Sequence, residues 1–436
     1  MPIALQPFFP PSRRERRNVL LLGSWFFLTI TALWLLKSVR SASLLANLGA
    51  AELPYVRFGA IAAVVVVVAV YTRAVKRLSR LDVARGASFV FALLLAAFWL
   101  ALVIGGPRVG GERAFVWALF ILVDVYSTVM VAVFWTYTND VMSPGEADRS
   151  YAAIGIGGIV GGIVGGGLVD GLVGVIGPVH LLLLCALLVL ATGLLAWRTE
   201  VVLAPPPRVV ERADEGALRA ALGGARVVAR SRYLLLIVGI VVAYEFAAAI
   251  TDFVIHVVLE RSFATEVELA AMLGRIGWIV SATALVTQIV LVPALLPHKR
   301  IALLVPPLAM LVAAGGLALV PVVGMAVLLA ASDRGLNYSL QQVTKETLYV
   351  PLGDSEKYEA KAFIDVLVDR AAKALSSVAL VGMMAVIGVS VVSSIALAAA
   401  AIFGWALAAL ALGPAYAARV GERAPAPPPP GAREVP

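Results

Sequence analysis

Lys361, Asp365, Asp369 and Lys373 recur at intervals of four residues, a spacing that places all four on one helical face with modest drift. Just upstream, Asp333, Arg334 and Asn337 lead into a polar run from Tyr338 to Leu352 that holds Gln341, Gln342, Thr344, Lys345 and Glu346. Charge concentrated between apolar stretches can do one of two things. It can hold helices together through internal ion pairs, or it can bind a charged solute on a path through a hydrophobic interior. Lys373 lies twelve residues beyond Lys361, about 18 Å along a helix, so the stripe runs from a membrane surface toward mid-membrane.

Other charges fall inside apolar segments. Asp124 sits midway along one, Glu245 near the centre of another, and Asp252 with His256 further along that same segment. These acids can exchange protons during a transport cycle or close salt-bridge gates against Lys37, Arg40 or Lys373, and both readings stay open. Asp333 and Arg334 are adjacent, so their side chains point about 100° apart and do not satisfy one another alone. Gly157, Gly161 and Gly165 form one small-residue ridge and Gly158, Gly162 and Gly166 a second, which fits close helix packing or sliding. No phosphate-binding loop of the ATPase type is present. The single cysteine, Cys185, and the scattered His180, His256 and His298 point to no metal site and no cofactor.

The elements that must position these groups follow from composition. Hydrophobic residues make up 61% and charged residues 14% of the 436 residues, with a mean hydropathy of +0.95. That is a polytopic membrane protein rather than a soluble one. Twelve helices are expected, near 18–40, 54–75, 86–104, 114–138, 150–175, 178–197, 232–258, 267–294, 301–320, 322–345, 362–388 and 391–413. Basic residues crowd 13–17, 73–85, 198–232 and 299–300, which places both termini in the cytoplasm. The net charge of +8 is then topology, and nucleic acid is not expected as a partner. The first apolar segment is too long for a cleaved signal and carries Lys37 and Arg40 at its far end.

Domain boundaries are expected at 1–197 for a six-helix bundle, 198–231 for a cytoplasmic linker, 232–418 for a second bundle and 419–436 for a Pro-rich disordered tail. Within the linker, Ala213–Arg230 can form a surface helix. Asp124 and Asp333 are 209 residues apart and Pro144 and Pro351 are 207 apart. Offsets that close fit a parallel repeat of six helices, an arrangement that places a binding site between the bundles.

Three blocks carry a family resemblance. Lys37 and Arg40 precede Leu48-Gly49-Ala50; Phe134-Trp135 precedes Asn139; and Tyr338-Ser339-Leu340, Lys345-Glu346 and Tyr349-Val350-Pro351-Leu352 precede Lys361-Ala362 and Ile364-Asp365. Together they resemble the ATP/ADP translocases of plastids and intracellular bacteria, a nucleotide-transporter family related to the major facilitator fold. There the third block reads Lys-Tyr-Ser-Leu-Phe-Asp-x-x-Lys-Glu-x-x-Tyr-Ile-Pro-Leu and continues into Lys-Ala-x-Ile-Asp. The resemblance matches Arg40 to a binding lysine and Asp252 to an acidic position. It implies exchange of ADP or another nucleotide by alternating access, without hydrolysis. Asn337 stands where the family has lysine, and Gln341-Gln342 where it has Phe-Asp.

The expectation is therefore an all-α, major facilitator-like antiporter of the inner membrane, not an enzyme. Its cargo is a phosphate-bearing anion, adenine nucleotides first. Arg40, Lys345, Lys361 and Lys373 would bind phosphate oxygens. Lys37, Asp124, Glu245, Asp252, Asp333, Arg334, Glu346 and Asp365 would gate or couple, with Asp252, Glu346 and Asp365 pairing the binding cations when the site is empty. The expected partners are the substrate and the lipid bilayer, and the chain is expected to be monomeric. Two other readings fit the same residues: a proton-coupled facilitator of another solute, working through Glu245 or Asp124, and a transport-inactive scaffold or sensor acting through residues 198–232.

Overall fold

The computed structural model describes residues 12–142, 144–203 and 217–423, and every regular element among them is helical. The tail at 425–430 and the proline run at 205–207 lie outside the described residues. In chain order the helices are α1 (Arg13–Asn47), α2 (Leu53–Arg77), α3 (Arg80–Gly110), α4 (Arg113–Val141) and α5 (Pro144–Leu203). Next come α6 (Ala217–Arg230), which falls in the stretch 198–231 expected as a linker, then α7 (Arg232–Ser262), α8 (Glu266–Leu295) and α9 (Lys299–Leu319). The chain closes with α10 (323–348), α11 (354–387) and α12 (Val391–Arg423).

Local chemistry marks these boundaries. The Ser12 hydroxyl accepts from the Glu15 N–H to start α1, and Ser231 does the same for α7. Thr265 and Glu268 form a reciprocal capping box at the head of α8, satisfying donors that the first turn leaves free. Gly49, at φ +85°, turns the chain between α1 and α2.

Among the described residues ten helices are long and apolar enough to cross a membrane, against the twelve expected. The difference has two physical sources. Ser150–Leu203 counts as one stretch, although Gly177, at φ +75°, and Pro178 break its direction in the middle. The segment 323–348 does not qualify because polar residues and two π turns, Ala331–Gly335 and Asn337–Gln341, interrupt it. A third π turn, Ile364–Val368, lies in α11 and a fourth, Thr287–Leu291, in α8.

α1 packs along α4 and α5, while α2 lies on α4 and α3 on α5. Beyond the linker, α7 packs on α10, α11 and α12, and α9 on α12. The two groups meet where α8 lies along α5 and α1, and where α2 touches the second half of α11. Large apolar side chains such as Val66, Phe89, Leu93 and Val312 are exposed, as a lipid-facing surface requires.

The glycine ridges of α5 divide their work. A Cβ on Gly165 would sit 2.6 Å from the Thr31 carbonyl oxygen of α1, and one on Gly166 would sit 2.6 Å from the Gly274 carbonyl oxygen of α8. Backbones can approach this closely only where side chains are missing. Just beyond the ridge, Asp170 of α5 receives two hydrogen bonds from Arg275 of α8, at 3.0 and 3.2 Å. Gly166→Ala should therefore lower the apparent melting temperature, corresponding to about 1–3 kcal/mol of overpacking. Gly167→Ala, whose Cβ meets nothing within 4 Å, should leave it unchanged; thermal unfolding in detergent measures both.

Candidate functional site

A cavity of about 420 Å³ lies where α1, α2, α4, α7, α8, α10 and α11 converge. Six cations line it: Lys37, Arg40, Arg57, Arg334, Arg370 and Lys373. Four carboxylates face them, from Asp124, Glu245, Asp252 and Asp333.

Asp252 is the hub. One of its carboxylate oxygens takes the guanidinium of Arg57 from α2 and the other that of Arg334 from α10. Arg57 also donates to the Ala249 carbonyl at 2.9 Å, so α2 grips α7 at two points one turn apart. The His256 ring nitrogen Nδ1 lies 2.7 Å from the Asp252 carbonyl oxygen, bracing the same turn. Nearby, the Glu260 carboxylate accepts from the Ala50 N–H at 2.9 Å. These contacts fasten the first helix group to the second at the face bearing residues 48–52.

Elsewhere in the cavity, Arg40 pairs with Asp124 and lies 4.0 Å above the Phe120 ring. The ammonium of Lys373 bridges Glu245 at 3.3 Å and Asp369 at 3.0 Å. Asp333 is 4% exposed, and its Oδ1 has no hydrogen-bond partner. Among the described residues Lys37 and Arg370 form no ion pair; the Lys37 ammonium lies 5.6 Å from the Trp34 ring centroid. Trp34 in turn meets Tyr338 edge-on, with centroids 6.4 Å apart.

Eight of the twelve site residues expected from the sequence thus line one cavity: Lys37, Arg40, Asp124, Glu245, Asp252, Asp333, Arg334 and Lys373. The other four lie outside it. Lys345 pairs with Asp365 at 3.1 Å and Lys361 with Glu346 at 2.5 Å, joining the end of α10 to the start of α11. The charged stripe expected along α11 is therefore split. A π turn at Ile364–Val368 slips the helix by about one residue, or roughly 100°, so that Asp369 and Lys373 turn toward α7 while Lys361 and Asp365 turn toward α10. Between them the Tyr349 ring is buried 5.8 Å from the Lys361 ammonium. Burial, with Asp365 and Glu346 close by, raises its phenol well above the ordinary range and keeps it neutral.

Arg57 and Arg370 were not among the residues the sequence singled out. The available signal at Arg57 was an arginine inside an apolar helix, four residues past its start. Asp252 consequently pairs with Arg57 and Arg334, not with the binding cations it was expected to neutralise.

Comparison with known proteins adds to this geometry. Residues 113–320 and 278–416 match the model of the TLC ATP/ADP transporter family. The ADP,ATP carrier protein 1 of Chlamydia muridarum (strain MoPn / Nigg) is 24% identical over 314 residues, which cover 62% of this chain and 59% of that protein. Among solved structures, the POT family transporter PepTSo superposes with a TM-score of 0.65 at 11% identity, covering 94% of this chain and 99% of that one. A bacterial homologue of the iron transporter ferroportin in an inward-facing state gives 0.61 at 14% identity, covering 93% and 100%. A bacterial homologue of the human lysosomal transporter Spinster, inward-facing and unoccupied, gives 0.59 at 14%, covering 96% and 100%. These likenesses show a major facilitator-like fold for an integral, multi-pass membrane protein. With the matched stretches together spanning 113–416, well over half of the chain, the protein belongs to the TLC ATP/ADP transporter family.

Proposed function

We propose that this protein exchanges nucleotides, ADP and ATP first among them, across a bacterial-type inner membrane by alternating access, without converting them chemically. The observation that carries this reading is the pair of cavity cations, Lys37 and Arg370, that have no carboxylate of their own among the described residues. Six cations face four carboxylates in the cavity wall, and counting Asp369 behind Lys373 still leaves a positive surplus. A low-dielectric pocket with surplus cations favours an anion, and phosphate oxygens offer charge-assisted partners to both amine and guanidinium. The family membership and the Chlamydia carrier supply the nucleotide.

In this reading, 1–197 and 232–418 are two six-helix bundles joined by the linker, and both termini are cytoplasmic. The Arg57–Asp252 and Asp170–Arg275 pairs then fasten the bundles on the outer side, while Lys345 and Lys361 stand at the inner mouth and attract anions toward it. A single chain contains the whole cavity, so a monomer suffices.

Counterflow into proteoliposomes preloaded with ADP tests the assignment, and its absence for every nucleotide tried would remove it. Lys37→Gln and Arg370→Gln should each raise the apparent KM for ADP about tenfold or more, since a hydrogen bond to a charged partner contributes about 1.5–3 kcal/mol. Lys345→Gln and Lys361→Gln should slow uptake chiefly at low ionic strength, the difference from wild type shrinking as salt screens long-range attraction. Asp252→Asn leaves Arg57 and Arg334 without their shared carboxylate, a loss of about 3–5 kcal/mol for a buried pair. Exchange should fall at least tenfold and the melting temperature should drop, with membrane insertion preserved.

A further inference from the structure

Asp333 is the one carboxylate of the cavity wall without an ion-pair partner among the described residues. It is 4% exposed, and its Oδ1 accepts no hydrogen bond. The adjacent Arg334 is committed to Asp252; on α7 the Tyr244 phenol stands within hydrogen-bonding reach of the Asp333 carboxyl group and Glu245 lies nearby, yet Oδ1 stays without a donor. A buried acceptor left unsatisfied costs about 1–3 kcal/mol, so the empty site leaves room for a donor from outside the protein.

With Asp333 ionised, that donor cannot belong to a phosphate, whose charge the carboxylate repels. It must come from an N–H or O–H on the uncharged part of the solute. Of the four aromatic side chains that line the cavity, Phe120 and Tyr244 among them, Trp34 from α1 and Tyr338, five residues beyond Asp333 on α10, meet edge-on with ring centroids 6.4 Å apart. Aromatic faces accept a flat base of any identity, and stacking of this kind contributes about 1–3 kcal/mol per base. The cations available for phosphate, Lys37 and Arg370, lie on α1 and α11.

Building on the nucleotide reading, we propose that Asp333 is the specificity-determining residue of a nucleobase subsite, its free oxygen accepting from an exocyclic amino group while Trp34 and Tyr338 supply the aromatic wall. Adenine presents such a group. Hypoxanthine carries a keto oxygen at the same position, and that oxygen would face the carboxylate lone pair to lone pair.

The test is competition against labelled ADP uptake in proteoliposomes. For the wild-type protein, IDP and N6,N6-dimethyl-ADP should both compete about tenfold or more weakly than ADP, the loss expected when a hydrogen bond to a charged acceptor is removed. Asp333→Asn replaces the carboxylate with a group that both donates and accepts, so it should bring ADP and IDP to within about threefold of each other. The wild-type analogue comparison stands even if the variant inserts poorly. Equal competition by all three nucleotides overturns the subsite and leaves nucleotide exchange intact. So does an Asp333→Asn protein that keeps the wild-type preference and loses a response to a pH gradient, which would make Asp333 a proton carrier. Failure of every nucleotide to compete overturns the parent reading and this one with it.

Discussion

The structure depends on one constraint: a charged group inside a bilayer-spanning bundle must find a partner there or a water-filled cavity to face. Asp252 shows the constraint met in full. Each of its oxygens takes one guanidinium, from Arg57 on α2 and Arg334 on α10, so a single carboxylate ties two helices to a third. Arg40 with Asp124, and Lys373 with Glu245 and Asp369, meet it pairwise. Buried pairs of this kind add little net stability over apolar packing, yet breaking one is costly. They specify which helices meet and in what register more than they hold the fold together.

That specification requires the backbones to come close. Gly166 against Gly274, and Gly165 against Thr31, let α5 lie on α8 and α1 with no side chain between, and the Asp170–Arg275 pair ends the same contact. Because α5 precedes the linker and α8 follows it, the glycine ridge sets the distance across which Arg57 must reach Asp252. Packing of small residues and pairing of charges are therefore one device. Without close approach at the ridge, the guanidinium on α2 could not satisfy the carboxylate on α7.

Much of this was legible in the residues. Apolar runs located the helices, glycine spacing located the tight interface, and intramembrane charges located the cavity, eight of whose polar groups are the expected ones. What escaped has physical reasons. Intervals of four from Lys361 to Lys373 assume an uninterrupted α-helix, and the π turn at Ile364–Val368 leaves no signature in spacing. Arg57 stands near the start of α2, where a lone arginine reads as a topological charge at the membrane surface rather than as an inward-facing partner. Sequence spacing orders residues along a helix; it does not say that Arg57 and Asp252, 195 residues apart, will share an ion pair.

The unpaired cations also bear on why a carrier of this construction would exchange rather than release its cargo and return empty. With the site vacant, Lys37 and Arg370 face the cavity without carboxylates, and closing the pathway around them would strip water from charges that nothing neutralises. The effective penalty is several kcal/mol per ion, enough to make the closed, empty intermediate rare. An anion in the cavity supplies the missing charge, and closure then meets only the ordinary cost of repacking. Under the nucleotide reading, the cations that favour binding also keep the empty carrier from crossing, so inward and outward steps are coupled through occupancy. Asp333 completes the balance from the other sign: its free oxygen discourages a bare anion from settling beside it, and a solute carrying both phosphate and a hydrogen-bond donor satisfies cations and carboxylate at once.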